Sequence, residues 1–294
     1  MLYSPLRYPG GKGKLAPFMG LMINKMNIKN GTYIEPFAGG AGVALMLLME
    51  GYVDDIVIND YDKAIYSVWR AIISESENLL DRILDTPVNI DEWKKQKEIY
   101  VEQNKKYSLD LAFATFFLNR TNRSGILKGG PIGGFEQTGN YGIDARYNAE
   151  KLVERIRAIA KYKKHIKVYN KEIVSFIENV LPNYGQNSLT YFDPPYFNKG
   201  PELYKNFFDK EDHAKIAQLI LNGVPENWII TYDDTPEIIE LYKQQCIRRY
   251  DLNYSVANTG KSSEVIVFND NKFCPTNQEL LNQGININLR EVNV

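Results

Sequence analysis

Short apolar runs rich in β-branched and aromatic residues alternate with helical patterns over most of this chain, and that alternation constrains the fold more than any other feature. Residues 32–37 read as a strand and turn, 43–50 as an apolar helix and 55–59 as a second strand. The pattern resumes with a helix at 149–161, a strand at 166–169, a helix at 173–180, a strand at 189–193 and a helix at 210–222. A strand at 228–232, a helix at 236–242 and a strand pair near 248–254 and 265–269 follow. Strands joined through helices cannot pair by tight hairpins, so most must lie parallel, with helices covering both faces. The expected fold is therefore α/β and Rossmann-like. Between residues 74 and 147 the alternation stops. Two helical patterns, 83–104 and 109–118, precede a stretch containing Gly125, Gly129, Gly130, Gly133, Gly134, Gly139 and Gly142, and 74–147 reads as an insertion into a domain made of 1–73 and 148–294.

The run Ser188-Leu189-Thr190-Tyr191-Phe192 ends in Asp193-Pro194-Pro195-Tyr196. Two prolines lack the N–H groups a central strand needs, so Asp193 marks the strand's carboxyl end, where open α/β sheets bind ligands. The prolines stiffen the segment into a clip that presents a carboxylate, a carbonyl and an aromatic ring together. Such a clip suits a planar exocyclic amine. Two acceptors taking its N–H hydrogens, the Asp193 carboxylate and the Pro194 carbonyl, would free a lone pair otherwise delocalised into the ring. Tyr196 would stack on a base drawn out of its duplex. The plain alternative is a structural turn with a capping or ion-paired aspartate.

A second constellation stands at the first strand. Glu35-Pro36-Phe37 runs into Ala38-Gly39-Gly40-Ala41-Gly42, a helix and a strand ending at Asp60. Glycines that admit a ligand, followed about 20 residues on by a carboxylate for ribose hydroxyls, follow the logic of nucleoside-cofactor sites, although the spacing is not GxGxxG.

Composition bounds the class. The chain has 294 residues, 44% hydrophobic and 24% charged, as expected for one large soluble domain or a domain with an insertion. It has no apolar stretch long enough to span a bilayer and no basic, apolar and small-residue leader pattern, so a cytoplasmic location with no membrane partner is expected. Cys246 and Cys274 without CxxC spacing, and His165 and His213 alone among histidines, argue against a metal site or a disulfide framework. A net charge of −1 lacks the global signature of a nucleic-acid-binding domain, but positive charge clusters at Arg120, Arg123 and Lys128, at Lys161, Lys163, Lys164 and Lys167, and at Arg248 and Arg249.

Arg7-Tyr8-Pro9-Gly10-Gly11-Lys12, the Glu35–Gly42 segment, Asn59-Asp60, Leu118-Asn119-Arg120-Thr121-Asn122-Arg123-Ser124-Gly125 and Asp193-Pro194-Pro195-Tyr196 occur in this order. With Arg146-Tyr147-Asn148 and Gly260-Lys261-Ser262-Ser263-Glu264, they make residues 5–270 resemble the Dam-type (D12 class) DNA adenine N6-methyltransferases. The resemblance implies a mostly parallel seven-stranded methyltransferase sheet and an inserted helical and hairpin target-recognition subdomain. It also implies S-adenosyl-L-methionine as cofactor, double-stranded DNA as substrate, no metal, and a cognate restriction endonuclease as a candidate partner. Carried over residue by residue, it gives Tyr8, Lys12 and Asp60 as cofactor contacts and Asp193 at the meeting point of cofactor and target. Glu35, Phe37 and the Gly39 loop suit the cofactor's ammonium, adenine and methionine portions. Glu172, where the family usually has aspartate, is a further cofactor candidate.

For DNA, Asn119, Arg120, Arg123 and Lys128, with Gln137 and Asn140, are donors able to reach phosphates or base edges, while Asn119 and Arg120 have an alternative role bracing the hairpin. Residues 126–134 depart from the arginine-asparagine run of the best-known members, so their GATC target does not transfer. Methylation of cytosine N4 poses the same chemical problem and stays open, as does a catalytically silent DNA-binding protein on the same fold. RNA or protein methylation is disfavoured by the N-terminal turn and the insertion.

Overall fold

The computed structural model describes residues 3–7, 12–102, 107–197, 208–224, 227–252 and 262–292. Among the described residues, eight strands form one sheet in the order β3-β2-β1-β4-β5-β7-β6-β8. β1 (Thr32–Glu35), β2 (Asp55–Asn59), β3 (Ile166–Tyr169), β4 (Ser188–Phe192) and β5 (Asn227–Asp233) pair in parallel. β6 (Cys246–Leu252), β7 (Ser262–Phe268) and the two-residue β8 (Arg290–Glu291) complete the sheet antiparallel. This is the expected mostly parallel α/β sheet, with one short edge strand beyond the seven expected.

Period-two alternation sorts the strand residues onto two faces. Tyr33, Ile56, Ile58, Leu189, Tyr191, Ile229 and Ile266 belong to one core cluster. Ile34, Val57, Phe192, Trp228, Ile230, Val265 and Val267 belong to the other. α1 (Ala16–Lys25), α2 (Gly42–Met49), α3 (Lys63–Ser74), α4 (Ser76–Asp85), α5 (Ile90–Glu102), α6 (Leu109–Thr121) and α7 (Ala149–Ala160) contribute to the first cluster. α8 (Ile173–Asn179), α9 (Lys210–Gly223) and α10 (Pro236–Leu241) cover the second face. α11 (Asn277–Asn282) places Leu280 in the first cluster.

Three elements differ from the sequence reading. The expected helix at 83–104 is two helices, because Pro87 forces Thr86 into extended backbone and stops α4 at Asp85. α3 was not expected, yet the Asp62 side chain caps it through the Ala64 N–H at 2.9 Å and its apolar side is buried. The glycine-rich hairpin has a single isolated bridge, Asn122 with Pro131, and otherwise holds its shape by turns. α6 buries every residue from Leu111 to Asn119, so it runs through the core rather than along its surface. Among the described residues, no helix is long and apolar enough to cross a membrane.

Candidate active site at the strand ends

Because β1, β2, β4 and β5 are parallel, their carboxyl ends share one edge of the sheet. The chain order reverses between β1 and β4, so the crevice expected of an open α/β sheet opens there. Glu35 ends β1, Asp60 follows β2, Asp193 follows β4 and Asp233 ends β5. A cavity of about 560 Å³ lies elsewhere, lined by Asn27, Asn187 and Asn227 near the amino ends of β4 and β5, far from these carboxylates.

Asp193 is held in place by its neighbours. Its Oδ1 accepts from the Thr231 hydroxyl at 2.9 Å and lies 3.3 Å from Lys12 Nζ. Thr231 Oγ1 is also 2.7 Å from the Tyr191 hydroxyl, and since its only proton goes to Asp193, Tyr191 donates to it. Both partners meet Oδ1, so Oδ2 keeps its lone pairs among the described residues. Burial raises the Asp193 pKa, with Lys12 pulling it back and Glu264 pushing it up. The Phe197 N–H donates to Asp233 Oδ1 at 2.8 Å, so the residue just after the clip is tied to the next strand.

Lys12, its side chain 2% exposed, joins the clip to the antiparallel end of the sheet. Its Nζ lies 2.7 Å from Glu264 Oε2 and 3.1 Å from the Tyr196 hydroxyl. Tyr196 donates to Glu264 Oε1 at 2.7 Å, and Tyr250 donates to Oε2 at 2.6 Å. Glu264 thus gathers three donors in a buried position. Tyr196 is only 9% exposed, and its hydroxyl is anchored between Lys12 and Glu264.

The glycine loop is organised by the neighbouring carboxylates. Glu35 Oε1 accepts from the Ala44 N–H in the first turn of α2 at 3.1 Å, and burial, opposed by that bond, pushes its pKa up to about 8. Asp60 accepts the Gly39 N–H at 2.9 Å through Oδ2 and the Asp62 N–H at 2.9 Å through Oδ1. Burial, reinforced by Asp62, raises the Asp60 pKa to about 7. Trp69 of α3 donates to Gly39 O at 2.9 Å. Gly39 adopts φ 46°, which glycine tolerates without strain. Asn59, buried, binds Pro36 O at 2.9 Å and both backbone groups of Lys171, so it staples the loop after β1 to the one after β3. Phe37 is half-buried, edge-on to Phe208 at 5.9 Å.

Not every expected site residue joins this group. Tyr8 lies outside the described residues. Glu172 is exposed and caps α8, its Oε2 accepting from the Val174 and Ser175 N–H groups at 2.9 and 3.3 Å. Asn119, 1% exposed, spends its amide on Arg7 O at 2.7 Å, Arg7 N–H at 2.7 Å and Gly125 O at 3.0 Å. It is a brace, closed to a base edge. Gln137 likewise donates to Ile132 O and Gly134 O and accepts from the Ile143 N–H. Half-buried Arg120 donates to Arg146 O. Arg123, Lys128 and Asn140 are exposed. Sequence reasoning missed Thr231, Tyr250 and the roles of Glu264 and Asn59. Glu264 stands in a recognisable motif, but its partners come from three distant segments.

An open, mostly parallel sheet with convergent carboxylates at its switch point, a glycine loop at the first helix and an aspartate-proline clip defines a Rossmann-like methyltransferase architecture. A family model of the D12 class N6 adenine-specific DNA methyltransferases matches residues 8–256, and the chain belongs to that family. Type II methyltransferase M.MjaIII of Methanocaldococcus jannaschii is 25% identical over 235 residues, spanning 72% of this chain and 77% of that protein. Type II methyltransferase M.CviBI of Paramecium bursaria Chlorella virus NC1A is 23% identical over 226 residues, spanning 76% and 81%. Among solved structures, the rRNA methyltransferase aviRa of Streptomyces viridochromogenes aligns at 14% identity and a TM-score of 0.35, covering 83% of this chain and 78% of that one. The protein is a DNA methyltransferase.

Proposed function

We propose that this protein transfers a methyl group from S-adenosyl-L-methionine to N6 of an adenine flipped out of double-stranded DNA. One observation carries the reading: the half-buried Asp193 carboxylate stands at the β4 end, with Thr231 and Lys12 on Oδ1 and Oδ2 left over for an amine. The donor set suits the cofactor. Asp60 retains lone pairs for ribose hydroxyls after accepting two backbone N–H groups, Glu35 offers a carboxylate to an ammonium, and Phe37 flanks a planar ring. Glu35 and Glu264 each interact electrostatically with Asp193, and Lys12 pairs with Asp193 and Glu264. Asp193 and Glu264 face one ammonium, and Glu35 adds a third carboxylate once it ionises, which suits a cationic ligand.

The cofactor supplies an electrophilic methyl group on a sulfonium. Asp193 Oδ2 and the Pro194 carbonyl accept the two N6 hydrogens, localise the nitrogen lone pair for in-line displacement and stabilise the positive charge that develops on N6. The N6 proton leaves after transfer, so no strong base is required. Lys12 and Glu264 fix Tyr196 through its hydroxyl, and any part of that ring meeting the base does so in a set orientation.

Residues 74–147 act as the target-recognition region, with Arg123 and Lys128 reaching DNA, and residues 1–73 and 148–294 carry the chemistry. The enzyme acts in the cytoplasm. Cofactor binding by calorimetry separates this reading from a catalytically silent DNA-binding protein. Incubating the purified chain with unmethylated genomic DNA and labelled cofactor, then digesting to nucleosides, tests the product. N6-methyl-2′-deoxyadenosine is expected; N4-methyl-2′-deoxycytidine, or no methylated base, overturns the adenine assignment.

A further inference from the structure

Four arginines gather beside the carboxyl end of α6, and backbone carbonyls hold the side chains of three of them. Arg7 comes from the N-terminal segment, Arg120 from the last turn of α6, Arg146 from the turn before α7 and Arg155 from α7. Arg120 donates through Nε to Arg146 O at 2.8 Å, Arg7 through Nη1 to Asn122 O at 3.0 Å, and Arg155 through Nη1 to Ser4 O at 2.8 Å. A longer contact at 3.5 Å runs from Arg120 Nη1 to Pro5 O. Asn119 clamps both backbone groups of Arg7. Gly125, at φ 76°, lets the chains meet, because a Cβ there would stand 2.5 Å from Arg7 O.

Elsewhere on these helices arginines have acidic partners: Arg82 pairs with Asp110 and Arg157 with Glu77. Arg7, Arg120, Arg146 and Arg155 have none among the described residues. Desolvation, with repulsion from Arg7, Arg155 and Arg146, lowers the Arg120 pKa to about 10. Positive charges drawn together against carbonyl dipoles alone leave a net positive potential, which an anion would relieve. Guanidinium forks match phosphate geometry, and Arg146 is exposed beside the segment that displays Arg123 and Lys128.

We propose that Arg7, Arg120, Arg146 and Arg155 form a receptor for a backbone phosphate of bound DNA, with Arg146 and Arg155 touching the phosphate and Arg7 and Arg120 setting the field. The inference rests on the DNA reading above and adds where the duplex backbone lies. It makes the root of the 121–147 segment an anchor independent of sequence, while exposed donors farther along read the target.

The test measures binding of a fluorescent duplex of about 30 base pairs to the full chain by anisotropy, across roughly 50 to 200 mM KCl. For the Arg146→Gln/Arg155→Gln protein, affinity at the middle of that range falls about tenfold, and the slope of log affinity against log salt becomes shallower by about 1 for each phosphate no longer neutralised. Arg155→Lys retains most of the slope. Melting curves and cofactor affinity match wild type, which separates weakened DNA binding from a failure to fold. Wild-type slope and affinity in the folded double variant overturn the proposal. Loss of inorganic-phosphate protection against melting with an unchanged DNA slope also overturns it, in favour of a free anion. If wild type methylates DNA and the slope does not move, only this inference fails; if the slope moves and no DNA is methylated, the transfer reading fails and the phosphate receptor stands.

Discussion

The strand-end site and the 121–147 segment treat polar groups in opposite ways. At the strand ends Lys12, Asp193, Tyr196, Tyr250 and Glu264 are drawn from separate parts of the chain, largely buried, and bonded to one another through side chains. In and beside the 121–147 segment Asn119, Asn122 and Gln137 bind backbone groups and shape the loop, while Arg123, Lys128, Phe135 and Tyr141 stand exposed. A buried, side-chain-linked network fixes geometry to within what displacement chemistry tolerates. A loop held by its own backbone keeps its outer side chains available for exchange, so target choice can change without disturbing the chemistry.

The contrast is most exposed to test at Asp193. Asp193→Asn keeps the shape of the clip but replaces a charged acceptor with an amide, and methyl incorporation falls about a thousandfold while the melting temperature and DNA affinity stay close to wild type. Turnover near wild type in single-turnover assays would break the assignment.

Next is the boundary between the two regions. α6 leads into the recognition segment, yet Phe116 lies in the same core cluster as Tyr33 and Ile56 of the sheet. Phe116→Ala therefore destabilises the whole chain by about 3–5 kcal/mol, and denaturant unfolding stays a single transition. Two separate transitions would show that 74–147 folds on its own.

A third test uses pH. Glu35, at about 8, and Asp60, at about 7, hold protons more tightly in the folded than in the unfolded chain. Their contribution to stability is fully present below the ordinary carboxylate value near about 4 and is lost as pH rises to about 8. The protein without cofactor melts highest in mild acid, and cofactor affinity rises across the same window as Glu35 becomes able to receive an ammonium. Glu35→Gln flattens the affinity curve and makes the melting curve shallower, Asp60 keeping its own share; calorimetry that finds a pH-independent affinity in wild type would remove Glu35 from the cofactor site. The smallest effect belongs to Lys128→Ala, which weakens DNA binding by about three- to tenfold and changes stability by no more than about 0.5 kcal/mol.

Much of this is legible without any coordinates. The strand-and-helix alternation specifies the parallel half of the sheet, and the Pro194-Pro195 pair marks the end of β4 because a missing N–H is a local property. The 83–104 stretch reads wrongly as one helix although its breaker, Pro87, stands in view. α3 escapes because helical periodicity between two better-marked motifs carries no punctuation beyond Asp62. Glu172 is legible as a residue type but not as a role: a glutamate just before a helix caps its N–H groups whether or not a ligand is near. Asn119 is ambiguous for the same reason, and its burial settles it as a brace.

The sequence by itself determined the identity and order of the chemical groups: the clip, the glycine loop, the acid after β2, the N-terminal lysine and the family they define. Tertiary structure decided which of them touch. Strand order set Thr231 under Asp193 and Glu264 beside the clip, the N-terminal segment brought Lys12 to Glu264, and its packing on α6 and α7 drew four arginines together with no acidic partner among the described residues. Contacts between residues 38 to 252 positions apart follow from how the sheet closes, and local pattern holds no record of that.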